Sequence, residues 1–123
     1  MKKLILVFLS LSALCLGNNA FAQGKYGPDS AKCVTNLSFY QEYFKQKNYD
    51  EALPSWRNAY KYCPPTANQN MLINGTTLLR RLINKNAGNA TYRAALVDSL
   101  LTLHDQRAQY YPKYTVIALN NTY

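Results

Sequence analysis

The sequence predicts an all-α fold built from antiparallel helical hairpins, and two observations carry this prediction. Apolar and aromatic residues recur at intervals of three and four residues through four separate stretches, which is the spacing of one face of an α-helix. Short segments rich in Asn, Gly or Pro separate those stretches. No alternating apolar and polar run is long enough to predict a sheet.

The first residues predict a secretory signal peptide at 1–22. The stretch begins with MKK, continues as the uncharged run LILVFLSLSALCLG, and ends in the small-x-small sequence AFA. Cleavage after Ala22 leaves Gln23 as the mature N-terminus, and a lipoprotein site at Cys15 is disfavoured because Leu14 precedes it. The apolar run is short for a membrane span, and no later segment is apolar enough to form one. The expected location is therefore the periplasm of a Gram-negative envelope, with no integral membrane segment in the mature chain.

The predicted helical domain (30–112) follows a polar, extended lead-in at 23–29. Its first helix is predicted from about 31 to 46, because apolar and aromatic residues there follow a helical pattern. Asp29 or Ser30 can cap the N-terminus of this helix. The lead-in itself contains Gly and Pro, which favour an irregular backbone.

A second helix, predicted from Tyr49 to Tyr62, completes the first hairpin (about 31–63). Pro54 lies near its N-terminal end, where a missing backbone N–H is best tolerated. The sequence Cys-Pro-Pro that begins at Cys63 stops it. The segment between the two helices is only a few residues long, so they are expected to lie antiparallel and adjacent.

The second hairpin is predicted at about 67–111, as a third helix, a turn at NKNAGN and a fourth helix from about 90 to 111. Pro112 ends the fourth helix and leaves a tail at 113–123. The apolar face of the third helix contains Met71, Leu72, Gly75, Leu78, Leu79, Leu82 and Ile83, and the fourth carries Leu96, Val97, Leu100, Leu101, His104 and Ala108.

Small and large residues of the first hairpin recur at fixed places. Ala52, Trp56 and Ala59 are separated by four and then three residues, so they share one helix face. With Cys33 as its first position, the segment 33–66 resembles a tetratricopeptide repeat (TPR), a helix-turn-helix of 34 residues. The structural positions that match the repeat are Phe39, Tyr43, Ala52, Trp56, Ala59 and Pro64. Trp56 is expected to be buried between the two helices of this hairpin.

Two positions of the first helix depart from the repeat. Asn36 replaces the usual tryptophan, and Tyr40 replaces a small residue. Beyond 66 the period is not kept, so 67–111 resembles a longer, divergent TPR-like hairpin. The chain as a whole is similar to exported TPR proteins of the Bacteroidota, in a short or truncated form. The resemblance implies a TPR-like α-solenoid fragment, in which each hairpin is stabilised by its neighbour.

Cys33 and Cys63 are the cysteines that remain once the predicted leader is removed. An even pair in an oxidising compartment favours a disulfide. In the TPR register they occupy the first and thirty-first positions, which lie at the same open end of an antiparallel hairpin. A Cys33–Cys63 disulfide is therefore predicted, with two buried free thiols as the alternative.

The charge of the chain does not predict a nucleic-acid partner. The formal net charge is +8, from 14 basic and 6 acidic residues. Past the leader the basic residues are scattered, and Arg80-Arg81 is their only adjacent pair. A solvated basic surface explains this distribution better than a nucleic-acid interface does.

No catalytic, metal or cofactor site is expected. His104 is the only histidine, and the sequence places no nucleophile beside it and Asp105. Asp50 and Glu51 open a helix, where acidic side chains interact favourably with the helix dipole. A Gly-rich phosphate loop and Cys/His zinc spacing are both absent from the sequence. We therefore expect a protein that is not an enzyme.

The TPR resemblance implies a scaffold that binds a protein or peptide through a concave surface lined by the first helix of each hairpin. On this chain the candidate partner-binding residues are Val34, Leu37, Gln41, Phe44 and Lys45, with an apolar or aromatic ligand as the expectation. The alternative for these residues is packing against a neighbouring helix or the lead-in. The alternative for the whole protein is an envelope structural or assembly component that acts by self-association.

Overall fold

Four helices in two antiparallel hairpins make up the fold in the computed structural model, which describes residues 24–113. They are α1 (Ser30–Lys45), α2 (Tyr49–Tyr62), α3 (Gln69–Lys85) and α4 (Ala90–Tyr110). Over 24–113 there is no strand, and no helix has both the length and the apolar character needed to cross a bilayer. The predicted all-α fold is confirmed. The predicted signal peptide, its cleavage site and the tail beyond Lys113 lie outside the described residues.

A three-residue connection reverses the chain between α1 and α2. Lys47 adopts a left-handed backbone conformation with φ 59°, which turns the chain tightly. The backbone N–H of Asn48 donates to the Tyr43 carbonyl at 2.9 Å. The rings of Phe44 and Tyr49 then meet edge to face, with centroids 5.3 Å apart. The two helices therefore lie side by side from this turn to their opposite ends.

The buried face of α1 differs from the face that the sequence pattern predicts. Cys33, Leu37 and Tyr40 are buried, whereas Phe39 is 54% exposed. The physical reason is the position of Cys33, whose side chain points to Cys63 at the end of α2. Leu37 and Tyr40 lie four and seven residues after Cys33, so they share its helix face. Phe39 lies six residues after Cys33, so it points away from that face. The assignment of Phe39 to helix packing is corrected, and Tyr40 takes that place.

Trp56 joins the two hairpins. Its side chain is 4% exposed, and its Nε1–H donates to the main-chain carbonyl of Met71 at 2.8 Å. Trp56 is therefore buried, as predicted. Its ring also contacts α3, which the prediction did not include. Of the small residues beside it on α2, Ala52 and Ala59 are both fully buried.

Gly75 of α3 provides the space for the indole ring. A Cβ atom built on Gly75 would lie 2.7 Å from Cε2 of Trp56 and 2.9 Å from Cδ1 of Leu103. Both distances are shorter than any ordinary van der Waals contact. Trp56, Gly75 and Leu103 therefore bring α2, α3 and α4 together at one point of the core.

Replacing Gly75 with alanine is expected to destabilise the fold. Alanine favours a helix interior by about 1 kcal/mol over glycine, but overpacking this contact is expected to cost about 1–3 kcal/mol or more. Chemical denaturation of Gly75→Ala measures the balance. The matched control is Gly88→Ala in the exposed turn before α4, where an added Cβ meets nothing within 4 Å. If Gly75→Ala is more stable than the parent, the indole does not rest on this glycine.

The second hairpin buries only part of what the pattern predicts. Asn68 and Asn89 cap α3 and α4, because each side chain accepts a hydrogen bond from a backbone N–H three residues later. In α4, Leu96 and Leu103 are buried, but Val97 is 37% and Leu101 is 55% exposed. Val97 and Leu101 therefore lie on the surface of α4 and not in the core.

Candidate functional site

The first helix of each hairpin flanks a cleft on one side of the fold. Both α1 and α3 run antiparallel to α2, so they run in roughly the same direction as each other. The space between them, about 290 Å³, is lined by Gln41, Phe44 and Lys45 of α1 and by Asn70 and Asn74 of α3. This space is named the α1–α3 cleft.

Three of the five predicted partner-binding residues lie in this cleft, namely Gln41, Phe44 and Lys45. Leu37 does not, because it is 6% exposed and belongs to the core. Val34 is 42% exposed but lies more than one helical turn before the cleft residues of α1. The prediction of a shared surface is therefore corrected at these two positions.

The side chains of the cleft are more polar than the sequence led us to expect. Gln41, Asn70 and Asn74 each carry an amide group that can both donate and accept hydrogen bonds. Lys45 adds an exposed ammonium group at one end, and Phe44 supplies one half-buried ring. The expectation of a mainly apolar ligand surface is not what this set of side chains favours.

Tyr40 is a buried neighbour of the cleft. Asn74 Nδ2 donates to its hydroxyl oxygen at 3.4 Å. Burial raises the pKa of Tyr40, and hydrogen bonds with Asn74 and Gln41 oppose part of that rise. The hydroxyl is therefore neutral at physiological pH, and it helps to hold Asn74 in place at the cleft.

The face of α3 that lines the cleft becomes basic towards the C-terminus of the helix. Asn70 and Asn74 are followed at helical spacing by Thr77 and Arg81. Arg81 Nε and Lys85 Nζ both contact Asp50 Oδ1 of α2, at 3.6 and 3.0 Å. The hydrogen bond and positive charge of Lys85, with a smaller effect from Arg81, lower the pKa of the Asp50 carboxyl. Arg80 lines the same surface of α3 as Arg81 and Lys85.

A second concave surface lies between α2 and α4, and no pattern in the sequence predicts it. This α2–α4 groove has a volume of about 430 Å³ and is bounded by the aromatic side chains Trp56, Tyr60 and Tyr92. Its remaining lining residues are Arg57, Leu79, Ala95, Leu96, Ser99, Thr102 and Leu103. Near one end, the Tyr60 hydroxyl donates to Gln106 Oε1 at 2.7 Å. Its residues are far apart in sequence, so only the docking of the hairpins assembles it.

Among the described residues, charged side chains surround His104. Partial burial lowers its pKa, and the positive charges of Arg80 and Arg107 lower it further. A neutral imidazole can act as a base, but the described neighbours that affect its titration are charged side chains and include no nucleophile. Within residues 24–113 no three His, Cys, Asp or Glu side chains lie close enough to hold a metal ion.

Comparisons of the chain with protein families, with curated protein sequences and with solved structures find no match. Of the surfaces described, the α1–α3 cleft is the one lined by predicted partner-binding residues.

Proposed function

We propose that this protein is a periplasmic scaffold of the TPR type, which binds an extended segment of a partner protein in the α1–α3 cleft and catalyses no reaction. One observation carries the proposal. Three side-chain amides converge on one open cleft from two separate helices, Gln41 from α1 and Asn70 and Asn74 from α3.

Side-chain amides suit an extended peptide better than they suit an apolar ligand. A peptide backbone alternates N–H donors and C=O acceptors, and one Asn or Gln amide can satisfy both. An apolar ligand would leave these amide groups without hydrogen bonds, which is unfavourable. Phe44 offers the only aromatic surface of the cleft, enough for one apolar side chain of the partner.

The charges around the cleft favour a partner segment that carries acidic residues. Lys45 lies at one end, and Arg80, Arg81 and Lys85 lie along the continuation of α3. Asp50 neutralises part of that positive charge. Electrostatic attraction of this kind increases association rates and weakens as the salt concentration rises.

The periplasmic location is supported by two features. The N-terminal residues have the three-part pattern of a signal peptide. Cys33 and Cys63 lie at disulfide distance, which is typical of a protein that folds in an oxidising compartment.

Selection from a displayed peptide library tests the proposal. We expect the selected peptides to be rich in Asp and Glu, and to bind Lys45→Ala/Asn70→Ala about tenfold or more weakly than the parent. The control Asn58→Ala/Arg93→Ala also removes one exposed amide and one exposed positive charge, but elsewhere on the surface. It should bind within about twofold of the parent. Titration calorimetry at two salt concentrations supplies the measurement.

Equal binding by both double variants would place the peptide outside the α1–α3 cleft. Failure to select any peptide, together with an oligomer that forms with rising protein concentration, would favour the self-associating envelope component instead. Neither Lys45 nor Asn70 is buried, so both double variants should unfold at the temperature of the parent.

A further inference from the structure

α4 carries a second apolar row on the side that faces away from the core. The row consists of Ala90, Ala94, Val97, Leu101 and Ala108, which repeat at intervals of four, three, four and seven residues. All five are exposed, and Leu101 is 55% exposed. The core side of the same helix is formed by Leu96 and Leu103. This row is named the outer face of α4.

A single exposed leucine needs no explanation, but a row along a whole helix does. α3 confines its apolar residues to one face, as a helix does when it covers a core from one side. α4 distributes them around its circumference over about five turns, which is typical of a helix covered on both sides. Among residues 24–113 only its core side is covered by another helix.

The charges beside the outer face disfavour an antiparallel second copy of the chain as the covering element. Asp98 and Asp105 lie along one edge of the row, and Arg93 and Arg107 lie along the other. In a two-fold symmetric antiparallel pair of helices, each edge meets the same edge of its partner, so like charges would face each other. A parallel pair needs both edges open, but Arg107 is already half-buried.

We infer that residues 114–119 of the same chain cover the outer face of α4. Their sequence is YTVIAL, with four apolar residues in succession and no charge. An uncharged segment meets no like-charge repulsion at either edge of the row. It follows α4 by only three residues, of which Tyr111 interrupts the helix while Pro112 and Lys113 are helical again.

The length of the segment fits the distance it must cover. Leu101 lies nine residues before the end of α4, which is about 14 Å along the helix axis. Residues 114–123 span about 15 Å as a helix or about 33 Å in extended form. Either length exceeds the distance from the end of α4 to Leu101.

At the C-terminal end of α4, the side that faces α2 is already covered by other residues. The Tyr60 hydroxyl donates to Gln106 Oε1, and the Tyr111 hydroxyl donates to the Pro65 carbonyl at 3.2 Å. These contacts place the end of α2 and the connection that follows it against α4. A segment that turns back along α4 therefore finds the outer face open and the α2 side closed.

Cysteine cross-linking in the full chain tests this inference independently of the peptide site. Leu101→Cys is combined in turn with Val116→Cys, Ile117→Cys and Leu119→Cys. Phe39→Cys on α1 replaces Leu101→Cys as the control, because Phe39 is equally exposed but lies on the first hairpin. The native Cys33 and Cys63 are buried, so they do not compete for a short bis-maleimide reagent. We expect intramolecular products with Leu101→Cys in at least one pair, and none with Phe39→Cys.

A truncation after Lys113 supplies a second readout that needs no cysteine. Removing the segment should increase the binding of a hydrophobic dye and lower the melting temperature by about 4–8 °C. Leu101→Glu should destabilise the full chain but leave the melting temperature of the truncated chain nearly unchanged. Phe39→Glu, the control, should have the same small effect in both backgrounds.

Three results would overturn the inference. The first is similar cross-linking yields with Leu101→Cys and Phe39→Cys. The second is a cross-linked dimer through Leu101→Cys, which would identify a second copy as the occupant. The third is equal destabilisation by Leu101→Glu with and without residues 114–123. A truncated chain that fails to fold would still leave the cross-linking of the full chain to decide.

Discussion

Replacing Trp56 with alanine is expected to destabilise the fold by about 3–5 kcal/mol, as large-to-small changes in a core do. Three interactions disappear together. The indole fills the space above Gly75, it stacks on Tyr60 with ring centroids 5.3 Å apart, and its Nε1–H donates to the Met71 carbonyl. Because these contacts connect α2 to α3, the change weakens the docking of the hairpins as well as the core of one of them. Small domains are stable by only about 5–15 kcal/mol in total, so the variant should be close to unfolding.

Circular dichroism is the appropriate measurement, because Trp56 is the only tryptophan and its fluorescence is lost with it. Trp56→Phe keeps a ring in the core but removes the hydrogen bond, so it should lose less stability than Trp56→Ala. Phe39→Ala is the matched surface control, since Phe39 is 54% exposed, and it should change stability by about 0.5 kcal/mol or less. If Trp56→Ala and Phe39→Ala melt at the same temperature, the indole does not hold the hairpins together.

The helices themselves could be predicted from local sequence. Their boundaries depend on periodic apolar residues and on nearby signals such as the two prolines after Cys63 and the asparagine caps at Asn68 and Asn89. These are interactions between residues close in sequence. The resemblance to a TPR also led to a first helix with Phe39 inside, and here it misled, because the rotation of α1 follows the direction of Cys33 instead.

The candidate site could be predicted only in part, for a related reason. The resemblance to a TPR predicts Gln41, Phe44 and Lys45, because the first helix of a TPR hairpin lines the concave surface. Asn70 and Asn74 are not predicted, because their place beside α1 depends on how the second hairpin docks on the first. That docking follows from Trp56 resting on Gly75, an interaction across 19 residues that no local pattern reveals.

α4 shows the same limit of local sequence patterns. The sequence of α4 contains Leu96, Val97, Leu100 and Leu101, and their spacing does not divide them between the core and the surface. In the structure Leu96 is buried and Leu101 is exposed, on nearly opposite sides of the helix. A helix that is apolar all round does not reveal from its sequence which side meets the core, because either side would serve. Only Gly75, which meets Leu103, settles the orientation.

Removing the Cys33–Cys63 link is expected to cost about 3–4 kcal/mol, the chain-entropy value for a closed loop of this length. The two Cα atoms lie 4.9 Å apart, so the predicted pairing is confirmed at disulfide distance. Cys33 lies in the first turn of α1 and Cys63 directly follows α2, so the link closes the end of the hairpin opposite the Lys47 turn. It also fixes which face of α1 meets α2. Without it, Phe39 and Tyr40 could compete for the buried position.

Reduction and mutation together separate the effect of the covalent link from the effect of the cysteine side chains themselves. The parent should lose stability when a reductant is added, whereas Cys33→Ala/Cys63→Ala should be insensitive to reductant and close to the reduced parent. Both sites are buried, Cys33 fully and Cys63 at 6% exposure, so alanine is the appropriate replacement because it introduces no unpaired polar group. Proteolysis reports the opening of α1, because chymotrypsin can cleave after the exposed Phe39 only when α1 unfolds locally. A parent that is indifferent to reductant, and whose two thiols are alkylated in protein purified after export, would show that the hairpin is held by packing alone.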